Sequence, residues 1–189
     1  MIRLFFIIGV LFYSCSNEPK RIDNYSIVIN ELVKNELKDI DVIVLETKPV
    51  MQGDTLDVDP KIGDALLNFF AQTNKIKQED IEFIHQQLDS SCSIVLDSTH
   101  IVTKTIHKVQ LDRLFESMGL DSTLSYLNKK KNIRSIATFS TPLFSKDKTK
   151  ILFFVDIWRN PTNGTGYFFI VSKENNKWRV VEHGGTYKS

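Results

Sequence analysis

The chain has 189 residues, and its 24 lysines and arginines against 23 aspartates and glutamates leave a formal charge of +1 at neutral pH. That near-balance excludes the global field that gathers nucleic acid, so no nucleic-acid partner is expected. Two cysteines are too few for a disulfide-stapled scaffold, so stability must come from packing. About 175 residues behind the apolar N-terminal stretch suffice for one core burying roughly 70% of the unfolded surface.

In chain order, Arg3 is followed by an uncharged, mainly apolar run from Leu4 to Tyr13, then by Ser14 and Cys15. This is the layout of a secretory leader over residues 1–14. Ser16 to Arg21 is polar and contains Pro19, so the run closes well short of the roughly 20 apolar residues a spanning helix requires. Ser14 and Cys15 resemble the leader of bacterial lipoproteins, in which a small residue precedes a lipid-modified, palmitate-bearing cysteine. In place of the leucine usual three positions before that cysteine stands Phe12, with Leu11 one place too early. The resemblance implies a lipid bilayer as partner through acylated Cys15, and a cell-envelope location, the outer membrane before the inner. An ordinary leader cleaved elsewhere, or an uncleaved anchor, is the alternative. If Cys15 is acylated, Cys92 has no second cysteine to pair with in the chain. Residues 15–23 then read as a polar tether and 24–189 as a single domain.

Apolar residues at 25, 28, 29, 32, 33 and 37 predict a helix over Tyr25 to Leu37. Val42 to Leu45 predicts a strand before Pro49. Asp59 followed by Pro60 marks a helix start, with Ile62, Leu66, Leu67, Phe69 and Phe70 as its buried stripe. Ile81, Ile84 and Leu88 predict a helix from Gln78 to Leu88. Two shorter helices follow, Val109 to Met118 and Ser122 to Lys130, whereas Ser93 to Leu96 and Ile101 to His107 fit either helix or strand. Lys129, Lys130 and Lys131 suit a helix C-terminus better than a basic recognition patch.

The last third predicts four strands, Ile133 to Phe139, Ile151 to Trp158, Tyr167 to Val171 and Trp178 to Glu182, with turn-forming separators that favour an antiparallel meander. Both faces of the second and third are apolar, so that part of the sheet should be covered on both sides. The fourth alternates Trp178 and Val180 with Lys177 and Arg179, as an edge strand does. Phe139-Ser140-Thr141-Pro142-Leu143-Phe144-Ser145-Lys146-Asp147 and Asn176-Lys177-Trp178-Arg179-Val180-Val181 resemble a group of uncharacterised bacterial envelope proteins. The resemblance covers roughly the last quarter of the chain. It implies a hairpin and a strand, and no mechanism. A Cys-Gly pair between the second and third strands is frequent in that group; here Asn160 to Gly166 takes its place without cysteine.

No G-x-S-x-G, H-E-x-x-H, P-loop, dinucleotide glycine pattern or paired C-x-x-C is present, and no cofactor or metal is expected. Asp54, Asp57 and Asp59 could ligate calcium, yet lack EF-hand spacing and fit a helix cap and a solvated turn. Glu82, His85 and Asp89 fall along one helical side, an arrangement also ordinary on a water-facing helix. Asp156 interrupts an apolar face and needs a partner from Arg159, Arg179 or His183. Paired with His183 it would form an acid-base couple; a structural ion pair is the other reading. Trp158 with the Asn160 to Gly166 stretch, notably Asn160 and Asn163, could present a binding loop, or else be core and connection.

The expected architecture is α+β, with N-terminal helices packed on a C-terminal four-stranded antiparallel meander. The expected function is a membrane-anchored envelope lipoprotein that acts as a non-enzymatic binding or interaction module, with an envelope protein as one partner class. The alternatives are a small hydrolase built on Asp156 and His183, and a structural accessory subunit of an envelope complex.

Overall fold

The computed structural model describes residues 20–21, 23–49, 67–68, 70–72, 75–89, 92–160 and 163–188. The leader, Cys15 and the Asp54, Asp57 and Asp59 group lie outside the described residues, as does the start of the helix expected at Pro60; residues 67–68 and 70–72 are helical. Nine strands and three named helices follow in chain order: β1 (Lys20–Arg21), α1 (Asp23–Asn35), β2 (Val42–Val44), α2 (Gln78–Asp89), β3 (Ile94–Val95), β4 (Lys104–Ile106), α3 (Lys108–Lys131), β5 (Ile136–Phe139), β6 (Leu143–Phe144), β7 (Lys150–Asn160), β8 (Asn163–Glu174) and β9 (Lys177–Lys188). β1 pairs in parallel with β3, Lys20 beside Ile94 and Arg21 beside Val95.

The main sheet has seven strands in the order β4-β2-β5-β7-β8-β9, with β6 paired to β7. The expectation of a four-stranded antiparallel sheet is therefore corrected. The meander β5-β7-β8-β9 is there and antiparallel, with β9 at one edge. Two short segments extend it, β2 running parallel to both β5 and β4. The physical reason is that three-residue strands carry little alternation of their own; their backbone groups are satisfied by neighbours far along the chain, where periodicity cannot be read.

Helices cover both faces rather than gathering at the N-terminus. On one face, α1 places Tyr25, Val28, Ile29, Leu32 and Val33 against Phe139, Phe153, Val155, Ile157 and Phe169. Tyr25 is fully buried, its hydroxyl donates to the Ser140 carbonyl at 3.0 Å, and its ring meets Phe153 edge-on at 5.6 Å. Burial pushes the Tyr25 phenol well above its ordinary pKa. On the other face, α2 packs Ile81, Ile84 and Leu88 on Leu143, Leu152, Phe154, Phe168 and Ile170. Farther along that same face, α3 packs Leu111, Leu124 and Leu127 on Val44 and Ile136. Both faces of β7 are apolar because both are buried, as its sequence implies.

α3 runs through Gly119, whose φ of 77° and ψ of 167° break the helical path, so it comprises two helical segments at an angle. The two separate helices expected on either side of this position are both present. Asn132 closes the second in the left-handed conformation, just after Lys129, Lys130 and Lys131 in its exposed last turn.

Candidate functional site

The sheet face shared by α2 and α3 carries the most distinctive chemistry. Along β7 the side chains of Leu152, Phe154, Asp156 and Trp158 alternate onto this face. Leu152 and Phe154 belong to the α2 cluster. On β5, Ile136 lies opposite Trp158 and Thr138 opposite Asp156. On β8, Gly164 and Gly166 face the same two residues and contribute no side chain. The packed layer therefore thins between the two helices.

A groove of about 830 Å³ opens there. Its floor is Val44, Ile136, Thr138 and Trp158, and its wall is the α3 side chains Leu111, Phe115, Leu120 and Leu124. Thr47, Lys48, Pro49, Ser93, Lys108 and Asp112 bring polar groups to the rim. An apolar concavity with a few convergent polar groups, within the range of about 300–1,000 Å³, is the form small-molecule sites take.

Asp156 is 4% exposed. Its carboxylate faces the ammonium of Lys48 at 3.8 Å. Lys48 is positioned by backbone bonds: its N–H donates to the Phe139 carbonyl at 2.9 Å and its own carbonyl accepts from the Thr141 N–H at 2.7 Å. Beside it, Thr141 Oγ1 lies 3.2 Å from Thr47 Oγ1 and donates to the Cys92 carbonyl at 2.7 Å, tying the β2 and β3 ends to the β5–β6 connection. The rim is thus held by a polar lattice rather than by packing alone.

At the mouth, Glu46 accepts from the Lys108 N–H at 2.6 Å and contacts His107 Nδ1 at 2.8 Å, placing a carboxylate at the N-terminus of α3 where the dipole favours it. Lys108 Nζ donates to Asp112 at 2.6 Å one turn on. Both rim lysines among the described residues therefore face a carboxylate.

The expected Asp156 and His183 couple is corrected by strand geometry. His183 lies opposite Phe169 and stacks on its ring at 5.7 Å, on the α1 side, whereas Asp156 is on the α2–α3 side. The sheet separates them, since alternate residues point to opposite faces. Arg159 bonds Asp39 at 2.6 Å and Arg179 borders a small cleft with Glu31 and Asn35 of α1. Neither is a partner that Asp156 receives from its own strand neighbourhood. Lys48, the partner actually placed there, was missed because it comes from the other half of the chain; the only signal was that a carboxylate inside an apolar strand requires a cation somewhere.

The long loop expected over Asn160 to Gly166 is corrected: β7 reaches Asn160 and β8 begins at Asn163, which pairs with it. Trp158 lines the groove at the base of this hairpin, while Asn163 is half-buried within β8. Glu82 is exposed and His85 half-buried on α2, with the side chain of Asp89 outside the described residues. Among the described residues no group of three histidine, cysteine, aspartate or glutamate side chains could hold a metal ion. Among the same residues no helix is long and apolar enough to cross a membrane. Cys92 is disulfide-bonded, and the only other cysteine of the chain is Cys15.

Comparison with protein-family models, curated proteins and solved structures found no match to this chain.

Proposed function

We propose that the protein is an envelope lipoprotein, anchored through Cys15 in the outer membrane, whose domain is a non-enzymatic binding module with its site in the groove between α3 and the sheet. The observation that carries the binding reading is the groove itself: about 830 Å³ over Ile136, Thr138 and Trp158, with Lys48 and Asp156 as a fixed ion pair at its polar end. A groove of that size, lined largely by apolar side chains among the described residues, is the form that small-molecule sites take. The polar groups at the rim are already hydrogen-bonded or ion-paired, which suits recognition rather than proton transfer.

The binding reading is tested by isolating the protein from its membrane and extracting it for co-purified small molecules, beside a Leu120→Trp variant. Leu120 is 40% exposed and borders the groove, so a larger ring there fills the site without entering the core. A bound molecule recovered from the parent and lost from the variant is expected. Equal recovery from both, or none from either, counts against the groove.

The anchor rests on the leader and Cys15 and is tested separately by mass measurement of the mature N-terminus. A thioether to lipid and a disulfide are alternative uses of one sulfur, and the disulfide at Cys92 has only Cys15 within the chain to pair with. A lipid-modified Cys15 is expected, with Cys92 recovered as a thiol or bonded to another molecule. An unmodified Cys15, or one linked to Cys92, overturns the anchor and leaves the binding reading standing.

A further inference from the structure

We propose that the bilayer holding Cys15 meets the domain at the mouth of the α3 groove, with Met118 and Leu120 set into the lipid and the groove opening toward it. This rests on the anchor proposed above and adds which side of the domain the anchor brings to the membrane. Strand direction carries it. β1 runs parallel to β3, Lys20 beside Ile94 and Arg21 beside Val95. β1 is therefore entered from the end of β3 at which Ser93 stands, and Ser93 borders the groove. Beyond the other end of β3 comes Asp97, whose N–H donates to the Ser26 hydroxyl of α1 at 2.6 Å. Cys15 is five residues before Lys20. Its Cα therefore lies at most about 18 Å from that of Lys20, the span of five fully extended residues.

The same groove ends in exposed apolar surface. Leu120 borders it and is 40% exposed, and Met118, on the other side of the Gly119 break, is 37% exposed. Large apolar side chains at a helix break, continuous with an apolar groove wall, form the kind of surface that marks a membrane contact. Arg113, Glu116 and Asp121 flank them and are exposed. An interfacial segment keeps such charges at the headgroups while its apolar side chains enter about 5–10 Å. A second exposed apolar pair is Ile27 and Val102. The Val102 N–H donates to Asn30 Oδ1, one turn along α1 from Ile27, so this pair lies with α1, on the opposite side of the sheet from α3. A tether this short brings one of the two sides to the lipid, and the entry into β1 selects the groove side.

The test uses the full chain in phosphatidylcholine vesicles whose acyl chains carry bromine, with the lipid on Cys15 read by mass. Trp158→Phe and Trp178→Phe remove both native indoles. A single tryptophan is returned by Met118→Trp or, in a second protein, by Val102→Trp, both at exposed positions. Quenching of Met118→Trp is expected to exceed that of Val102→Trp by at least about twofold, as an indole at the acyl boundary differs from one in water. Equal quenching, or stronger quenching of Val102→Trp, overturns the assignment of the groove side. Quenching of neither, in a chain whose Cys15 carries lipid, overturns it too and leaves the anchor standing. A chain without lipid on Cys15 overturns the anchor and this proposal with it. If the chain lacking both native indoles loses its fold by circular dichroism, hydrogen exchange of the unsubstituted chain on vesicles, against the Cys15→Ala protein in solution, reads the same contact. Slower exchange at residues 117–121 supports it; unchanged exchange there overturns it.

Discussion

Gly184 sits across from Phe168 in the β8–β9 ladder, and a Cβ added there would lie 2.6 Å from the ring. Phe168 is in turn held against Phe70 at 5.0 Å between centroids, so it has little room to retreat. Gly184→Ala is expected to destabilise by about 1–3 kcal/mol, as overpacking does, read from the denaturant midpoint. Gly185→Ala, whose added carbon meets only the Gly166 carbonyl at 3.9 Å, should stay within about 0.5 kcal/mol of the parent. A second single-residue device is Asp147 in the β6–β7 turn. Ser145 Oγ donates to it at 2.7 Å, as do the Thr149 hydroxyl at 2.7 Å and N–H at 3.0 Å, and these bonds hold its carboxyl well below the usual carboxylate range. A depressed folded-state pKa gives stability that is present above the unfolded value of about 3.9 and fades as the pH falls below it. Asp147→Asn should therefore lower the thermal midpoint at neutral pH, and the difference should shrink with acidification below about pH 4. A difference that stays constant with pH would mean the charge contributes nothing. Lys146-Asp147-Lys148 was readable as a turn-forming separator; that the Asp147 carboxylate gathers three donors was not, because the donors' directions depend on Lys148 adopting a φ of 57°.

Among the elements, α2 and α3 are fastened by different means. Gln87 of α2 donates to the Phe144 carbonyl at 2.8 Å and accepts from the Phe144 N–H at 2.9 Å, satisfying the backbone of β6 as a neighbouring strand would. Gln87→Ala leaves both groups half-buried without these bonds, and a loss of about 1–3 kcal/mol is expected in equilibrium unfolding. In α3 the break at Gly119 has φ and ψ in a region essentially confined to glycine, and nothing lies within 4 Å of an added Cβ. Gly119→Ala is thus a test of backbone conformation alone, with an expected loss of about 1–3 kcal/mol. A smaller change would show that the two helical segments can merge. The helices at Gln78 and Tyr25 were legible because their apolar residues recur at helical spacing, and the α3 break because Gly119 stands between two such patterns. The β8–β9 turn was legible too: Asn175 and Asn176 tolerate the left-handed conformation they adopt, at φ values of 49° and 62°. By contrast β3 and β4 could not be told from helix, since two or three residues do not define a period.

For the molecule as a whole, the sheet is buried deepest at its centre. Ile151 to Ile157 of β7 is buried without interruption, with α1 on one side and α2 and α3 on the other. Amides of β7 and the facing half of β8 are expected to exchange slowest in native-state hydrogen exchange, and those of β1 and β4 earliest among the strands. Comparable rates at β4 and β7 would argue against this layering. From its residues alone the chain determined the meander, its edge strand and the need to cover both faces, because alternation along a long strand records burial on each side. Near-neutral charge was likewise readable without a fold. What only the tertiary structure decided was which segments meet: β2 and β4 completing the sheet, α3 leaving a groove beside Trp158, and Lys48 reaching Asp156 while His183 turns to the opposite face. These depend on strand order and register, which are settled by the joint satisfaction of packing and backbone hydrogen bonds over the whole chain, and no short stretch of sequence carries that sum.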